Sequence, residues 1–305
     1  MKSNRKIAVC AYHNVGYRCL EELLRKGAKI DVVFTHEDSP EEEIWFQSVR
    51  LLAERNSIPC IVSDVNLTEN VALLKEISPD FIFSFYYRFI IRKEILNIPE
   101  LGALNMHGSY LPGYRGRVPV NWAVINGETE TGVTLHYMIE KPDAGDIVDQ
   151  EKVSIEYTDT AFHVFNKVTD AAVRVLSRAY PLLVEGKAGR ILMDVSKGSY
   201  FGGRRPEDGI IHWHKRATEL YNLIRGVTHP YPGAFTYLDG EKIFIWDARP
   251  VEGRGVPGKV LSVQPLLVGT GEGLLAIRSL QIEGEAEETA GSFTVKRPLE
   301  DKIFS

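Results

Sequence analysis

Short apolar runs alternate with amphipathic segments through the first half of the chain. Residues 6–12, 30–35 and 81–85 are mostly apolar, which predicts strands that are buried on both faces. Residues 16–26 instead place leucines at helical spacing before Gly27, which predicts a helix and its end. Strands that alternate with helices form a mostly parallel sheet with helices on both faces. By the same pattern, further strands are predicted at residues 59–63, 102–107, 132–138 and 147–155, and further helices at residues 44–56, 67–77, 119–126 and 160–184.

The pattern changes after residue 186. Residues 187–205 are rich in glycine and basic residues, which predicts a linker. A helix is predicted at residues 217–226, and the short strands that follow it are separated by glycines, as in a small antiparallel β-barrel. We therefore expect two domains, residues 1–200 and residues 201–305. The strands of the second domain are predicted at residues 233–238, 242–247, 258–263, 266–269 and 274–281.

The composition of the 305-residue chain is that of a globular protein. Hydrophobic residues make up 44% and charged residues 25%, which excludes a disordered or fibrous chain. The net charge of −5 argues against a dedicated nucleic-acid binder, which carries a basic excess. Cys10, Cys19 and Cys60 form no metal-binding spacing and fit a reducing compartment. The apolar run at residues 7–11 is too short for a signal sequence, and no segment approaches a membrane span, so we expect a cytoplasmic protein without membrane insertion.

Two polar residues close the strand predicted at residues 102–107. Asn105 and His107 are two residues apart, so on a strand their side chains face the same side. Ligands of an open parallel sheet bind beyond the carboxyl ends of its strands. There the amide would donate to a developing oxyanion and the imidazole would carry a proton, as acyl transfer requires. From the spacing alone, however, a polar pair that satisfies itself is the favoured explanation.

A second candidate is the turn at residues 141–146. Proline, aspartate and glycine are typical turn residues, so a turn alone explains them. The carboxylate of Asp143 becomes functional only if it reaches His107, where it would stabilise an imidazolium and fix the ring tautomer.

Other sites have weaker support. No glycine-rich phosphate loop follows the first strand, which argues against NAD(P) and ATP chemistry. His212 and His214 have no third metal ligand near them, so a solvated loop is favoured. The aromatic residues 85–87, followed by Arg88, fit either the edge of the core or the wall of a site for a flat ligand.

The segment around His107 resembles the folate-dependent formyltransferases. Asn105 and His107 are followed by the loop HGSYLPGYRGRVP, and Asp143 is followed by Gly145 and Asp146. That family includes glycinamide ribonucleotide formyltransferase, methionyl-tRNA formyltransferase and sugar N-formyltransferases. The resemblance covers nearly the whole chain. It implies a Rossmann-like α/β domain followed by a small OB-like antiparallel β-barrel.

Within that family, further segments are similar to the formyltransferase domains of bifunctional polymyxin-resistance proteins. Those domains formylate UDP-4-amino-4-deoxy-L-arabinose for lipid A modification. They continue into a nucleotide-sugar dehydrogenase, so the resemblance leaves open fusion or association with such an enzyme, and a homo-oligomer. Tyr110 and an additional glycine at residues 202–203 depart from the family pattern and leave the substrate contacts open. The similar segments are residues 11–13, 34–36, 83–88, 127–136, 201–205 and 232–235.

The resemblance also implies a role for each site residue. Asn105 would stabilise the oxyanion, His107 would carry the proton, and Asp143 would support His107. Arg117 and Arg204 would contact the nucleotide sugar, and no metal is required. The residues implied to hold 10-formyltetrahydrofolate are Phe89, Ile90, Ile91, Ile139, Glu140, Lys141, Pro142 and Asp143.

Three other functions stay open at this stage. A dTDP-linked amino sugar would be formylated by the same chemistry. A methionyl-tRNA formyltransferase should carry a basic loop after the second strand, and the acidic residues there would repel the acceptor stem. A non-catalytic folate or nucleotide-sugar binding module should lack part of the Asn-His-Asp set, which is complete here. The acidic residues are Glu37, Asp38, Glu41, Glu42 and Glu43.

Overall fold

A seven-stranded sheet forms the centre of the first part of the chain. The computed structural model describes residues 5–40 and 43–305. The strands of this part are β1 (Ile7–Ala11), β2 (Ile30–Thr35), β3 (Cys60–Val62), β4 (Phe81–Phe85), β5 (Gly102–His107), β6 (Arg115–Gly116), β7 (Glu130–Tyr137), β8 (Ile147–Ser154) and β9 (Tyr200–Phe201). The helices are α1 (His13–Arg25), α2 (Val49–Arg55), α3 (Thr68–Ile77), α4 (Lys93–Leu96), α5 (Pro119–Ile125) and α6 (Ala161–Val184).

The strand order of the sheet is β3-β2-β1-β4-β5-β7-β8. Neighbouring strands from β3 to β5 are parallel, whereas β7 is antiparallel to both β5 and β8. This mostly parallel sheet confirms the predicted fold class. Strands β6 and β9 form a separate two-stranded parallel sheet.

Helices cover both faces of the sheet. On one face, Ile82 of β4 lies in an apolar cluster with Leu74 of α3 and Ile95 of α4. On the other face, the ring of Phe83 lies 6.4 Å from that of Tyr180 in α6. Successive strand residues point to opposite faces, so an apolar run such as β4 is buried throughout.

The helix predicted at residues 44–56 is shorter than expected. It begins only at Val49, because Ser48 caps its N-terminus and accepts a hydrogen bond from the Leu51 N–H at 3.3 Å. Ile44, which the prediction placed in the helix, is 41% exposed.

The prediction that residues 187–205 form a linker is wrong, because most of this segment pairs with and packs against the sheet. Ile191 exchanges two backbone hydrogen bonds of 2.8 Å with Ile147 at the start of β8. Met193 packs against Leu111 and Ile147, and β9 extends the segment alongside β6. Glycine and basic residues therefore mark an ordered segment on the sheet domain rather than a flexible connection.

Contacts divide the chain into two units. The first contains the described residues up to Pro119 with Glu130–Ser154 and Phe165–Gly202, and the second contains Val120–Thr129, Ile155–Val164 and Gly203–Ser305. The predicted domain boundary near residue 200 stays a prediction.

The second unit is built on a six-stranded antiparallel sheet. Its strand order is β10-β11-β14-β13-β12, and β15 pairs with β14. Leu220, Tyr221 and Ile224 of helix α7 pack into the apolar core of this sheet. The elements are α7 (Ala217–Val227), β10 (Ala234–Leu238), β11 (Glu241–Val251), β12 (Val260–Val263), β13 (Leu266–Gly269), β14 (Leu274–Ile282), β15 (Glu288–Thr289) and α8 (Ala290–Lys296).

The C-terminal residues join the two end strands of this sheet. Tyr237 of β10 exchanges backbone hydrogen bonds of 3.1 and 2.9 Å with Ser305. The N–H of Val260 in β12 donates to the Lys302 carbonyl at 3.0 Å. Phe304, between these contacts, is 2% exposed. The last residues therefore belong to the β-domain and close it as a barrel.

We predict that Phe83→Ala lowers the free energy of unfolding by about 3–5 kcal/mol, because the truncation leaves a cavity in a packed core. Phe83 is fully buried, and its ring lies 5.7 Å from those of both Phe81 and Phe85. Urea denaturation measures the change. The matched control is Leu192→Ala, which removes an 85% exposed side chain and should change stability by less than about 0.5 kcal/mol. Equal effects of the two substitutions would contradict the packing argument.

Candidate active site

Asn105 and His107 lie at the carboxyl end of β5, as predicted. His107 is 6% exposed and Asn105 is half-buried. Both point to the same side of the strand, and β7 runs antiparallel beside them. The site therefore starts at the edge where the parallel part of the sheet meets its antiparallel part.

The structure brings Asp143 to His107. The carboxylate Oδ1 of Asp143 lies 3.4 Å from Nδ1 of His107, and Oδ2 accepts the Gly116 N–H at 2.9 Å. Asp143 has a φ of +49°, in the left-handed region that non-glycine residues seldom adopt. Gly145 then passes so close to β7 that a Cβ there would lie 2.0 Å from the Tyr137 carbonyl oxygen. The turn residues thus allow a tight return that places the carboxylate at the end of β5.

The imidazole of His107 faces oxygen acceptors on both sides. Its Nε2 lies 2.9 Å from the carbonyl oxygen of Tyr114, and its Nδ1 faces the Asp143 carboxylate. A carbonyl oxygen only accepts, so Nε2 carries a proton in this arrangement. In the neutral ring the lone pair is then on Nδ1, beside the carboxylate.

Opposing effects act on the pKa of Asp143. Burial raises it by disfavouring the charged form, while the neighbouring imidazole of His107 and the Gly116 N–H lower it. The attractive contacts outweigh burial and hold the pKa of Asp143 well below its usual range. The carboxylate therefore stays ionised next to His107.

His136 is a member of the site that the sequence reasoning missed as a functional residue. Its Nε2 lies 3.2 Å from Nδ2 of Asn105 and 3.6 Å from Oδ1 of Asp143. It is 1% exposed. The available signal was the alternation of Thr134 and His136 within the otherwise apolar segment 132–138, which places both polar side chains on one buried face.

Thr134 anchors the loop that follows His107. Its Oγ1 donates to the Ser109 carbonyl at 2.8 Å and accepts the Leu111 N–H at 3.1 Å. A Cβ at Gly108 would lie 2.0 Å from the hydroxyl oxygen of Tyr86, so a larger residue there would require the Tyr86 ring to move. The loop is therefore a fixed part of the site rather than an irregular connection.

The structure brings the two predicted folate-binding segments together. Lys93, which follows residues 89–91, forms a 3.0 Å ion pair with Glu140 in the second segment. Phe89, Ile90 and Ile139 are 42%, 73% and 48% exposed. Exposed apolar side chains beside a polar site are what a flat ring system would cover.

One predicted folate residue differs from its neighbours. Ile91 is 8% exposed and packs in the core with Ile82 and Met138, so its side chain is not available to a ligand. Lys141 and Pro142 are exposed, as a binding role requires.

The two predicted sugar-binding arginines have different surroundings. Arg117 is exposed and lies in the loop after His107, where its N–H donates to the Phe201 carbonyl at 3.0 Å. Arg204 belongs to the second unit, where its guanidinium lies 4.7 Å from the ring centre of Trp122. Partial burial lowers the pKa of Arg204. The substrate-binding role of both residues stays a prediction.

The weaker sequence candidates are placed as follows. Of the acidic run after β2, Glu41 and Glu42 lie outside the described residues, while Asp38 accepts the Tyr12 hydroxyl at 2.9 Å. His212 and His214 are exposed, and the described part of the chain contains no group of three or more His, Cys, Asp and Glu arranged to hold a metal. No helix within residues 5–40 and 43–305 is long and apolar enough to cross a membrane.

Family models match both parts of the chain. The model described as formyl transferase matches residues 13–180, which is more than half of the chain. The model described as formyl transferase, C-terminal domain, matches residues 204–298.

Solved structures share the fold at low sequence identity. An N-formyltransferase from Helicobacter canadensis, in complex with folinic acid and dTDP-3-aminofucose, is 20% identical with a TM-score of 0.69, over 90% of this chain and 99% of that chain. A 4-N formyltransferase from Francisella tularensis is 22% identical with a TM-score of 0.65, over 79% and 96% of the two chains. HypX from Aquifex aeolicus, in complex with tetrahydrofolic acid, is 18% identical with a TM-score of 0.65. That match covers 97% of this chain but only 48% of HypX.

We predict that Asp143→Asn destabilises the protein at neutral pH, by on the order of 2 kcal/mol. Because the folded pKa lies below the unfolded one, the carboxylate contributes stability that is fully present above the unfolded pKa of about 3.9. This stability is lost as the pH falls through the folded pKa. Urea unfolding of wild type and variant at pH 7 and pH 3 should show a difference that shrinks on acidification. Asp170→Asn, at a 57% exposed position, is the control. A difference that is independent of pH would show that the charge of Asp143 is not responsible.

Proposed function

The chain belongs to the formyl transferase family, and from that premise we propose that it transfers the formyl group of 10-formyltetrahydrofolate to the amine of a nucleotide-linked amino sugar. The acceptor we propose is UDP-4-amino-4-deoxy-L-arabinose. The observation that carries the proposal is the meeting of Asn105, His107 and Asp143 at one edge of the sheet, with His107 Nδ1 3.4 Å from the carboxylate.

Each of these side chains has a part in the proposed reaction. Asn105 donates an amide N–H to the oxygen on which negative charge develops when the sugar amine attacks the formyl carbon. Because Nε2 already donates to the Tyr114 carbonyl, His107 takes the proton that the amine loses at Nδ1, directly or through water, and returns it by the same route to the departing nitrogen. Asp143 stabilises the charged imidazole while the proton resides there. The folate supplies the activated one-carbon group.

The folate subsite is proposed beside this set. Phe89, Ile90 and Ile139 offer exposed apolar surface, and Lys93 and Glu140 hold the two segments next to each other. Ile91 would contribute only backbone atoms, since its side chain is in the core. These residues fit a flat, polar-edged ring system.

The choice of sugar rests on the chain's own segments. Residues 83–88, 127–136 and 201–205 are similar to the polymyxin-resistance formyltransferases. The exposed guanidinium of Arg117, in the same loop as His107, suits a diphosphate group.

A dTDP-linked amino sugar is the second candidate acceptor. It is favoured by the Helicobacter canadensis enzyme, whose complex contains dTDP-3-aminofucose and whose fold this chain shares. A tRNA acceptor is disfavoured by Glu37, Asp38 and Glu43, which place negative charge where phosphates would have to bind.

We predict that the protein adds one formyl mass to UDP-4-amino-4-deoxy-L-arabinose when it is incubated with 10-formyltetrahydrofolate. Mass spectrometry of the sugar nucleotide measures the reaction. Asn105→Ala should lower kcat on the order of a hundredfold or more, because one oxyanion donor is lost. His107→Ala should have a similar or larger effect, because the proton carrier is removed.

The matched control is His212→Ala, which removes an exposed histidine and should leave the rate unchanged. Turnover with a dTDP-linked amino sugar alone would keep the mechanism and change the acceptor. If wild type formylated no amino sugar under these conditions, the proposed function would be wrong.

A further inference from the structure

We propose that His136 is a positioning residue for this reaction: it fixes the orientation of the Asn105 amide, so that an N–H and not the carbonyl oxygen points at the developing oxyanion. The inference rests on the proposed function for its kinetic consequence. Its structural part, the orientation of one amide by one imidazole, can be tested without any turnover.

The sheet register places the two residues side by side. Asn105 of β5 and His136 of β7 are directly opposite partners in the antiparallel pair, so their side chains share a face. The Nδ2 atom of Asn105 lies 3.2 Å from Nε2 of His136. His136 is 1% exposed, so water does not compete for its ring nitrogens.

A backbone carbonyl determines the tautomer of His136. Its Nδ1 lies 2.9 Å from the Tyr137 carbonyl oxygen, which can only accept a hydrogen bond. In the neutral ring Nδ1 therefore carries the proton, and Nε2 presents a lone pair. The distance from Nε2 to Asp143 Oδ1, 3.6 Å, is too long for a hydrogen bond, so the lone pair is directed to Asn105.

This lone pair distinguishes the two ends of the Asn105 amide. It accepts from the Nδ2 group and would repel the carbonyl oxygen, so the flipped amide is disfavoured. One Nδ2 hydrogen is used by His136, and the second remains to donate to a substrate oxygen. An oxyanion next to a flipped amide would instead meet a carbonyl oxygen and be destabilised. The effect therefore falls on the transition state rather than on substrate binding.

Substitutions at His136 separate this role from simple core filling. His136→Leu replaces the imidazole with an apolar side chain of similar bulk and removes the acceptor. His136→Gln keeps an oxygen acceptor near the position of Nε2. We expect His136→Leu to lower kcat by about tenfold to a hundredfold with less than threefold change in either KM. His136→Gln should recover most of that loss.

Two further variants test the route of the effect. In the background of Asn105→Ala, the His136→Leu substitution should cause little additional loss, because its target is already absent. Ser84→Ala is the matched control: Ser84 is 5% exposed and is the register partner of Asn105 on the other side, in β4. It should leave kcat within threefold of wild type.

Nuclear magnetic resonance tests the structural part on the wild-type protein. The ring nitrogen shifts of His136 should show a protonated Nδ1 and an unprotonated Nε2. The Asn105 side-chain amide, identified by its absence in Asn105→Ala, should show one hydrogen-bonded proton that is lost in His136→Leu and retained in His136→Gln. Urea unfolding reports whether each variant is folded.

The outcomes are distinguishable. A protonated Nε2 in wild type would overturn the proposal, whether or not the Leu variant folds. His136 would have a role that does not act through Asn105 if His136→Leu and His136→Gln lowered kcat equally. The same would follow if His136→Leu lowered kcat as strongly in the Asn105→Ala background as in wild type. If the resonances are as expected but wild type formylates no acceptor, the proposed function fails and the orientation of Asn105 stands.

Discussion

A carboxylate that is largely removed from water must be compensated, and in this protein that requirement shapes the site. The side chain of Asp143 is 13% exposed, and its carboxylate faces Nδ1 of His107 and accepts the Gly116 N–H. Removing a charge from water costs several kcal/mol unless such partners are in place. The loops on either side of the site are therefore held in conformations that bring the partners in.

The cost is visible in the backbone of the loop after His107. Tyr114, Gly116 and Val118 have φ values of +55°, +100° and +47°. Such values are rare for non-glycine residues and are outliers for a β-branched one. The strain persists because the Tyr114 carbonyl meets His107 and the Gly116 N–H meets Asp143. Strain of this kind concentrates at functional sites, where the surrounding structure over-determines the geometry.

The antiparallel strand β7 gives the site its second layer. In a wholly parallel sheet, the strand beside β5 would run in the same direction and would end at the same edge of the sheet. Here β7 runs back along β5, so Thr134 and His136 lie opposite His107 and Asn105. Thr134 anchors the loop, and His136 contacts the amide. One strand thus lies beside both Asn105 and His107.

The sequence by itself determined the mostly parallel sheet, the antiparallel domain after it, and the edge at which Asn105 and His107 lie. These follow from the local spacing of apolar residues, because each element must place its apolar side chains on the buried face. It also supplied Asp143, though only as a turn residue whose function depended on reaching His107. Only the tertiary structure brings Asp143 to His107 and His136 to Asn105. It also shows that the segment after α6 packs against the sheet. Those contacts join residues 31 to 85 positions apart. Their formation depends on strand order and register, which local periodicity does not specify.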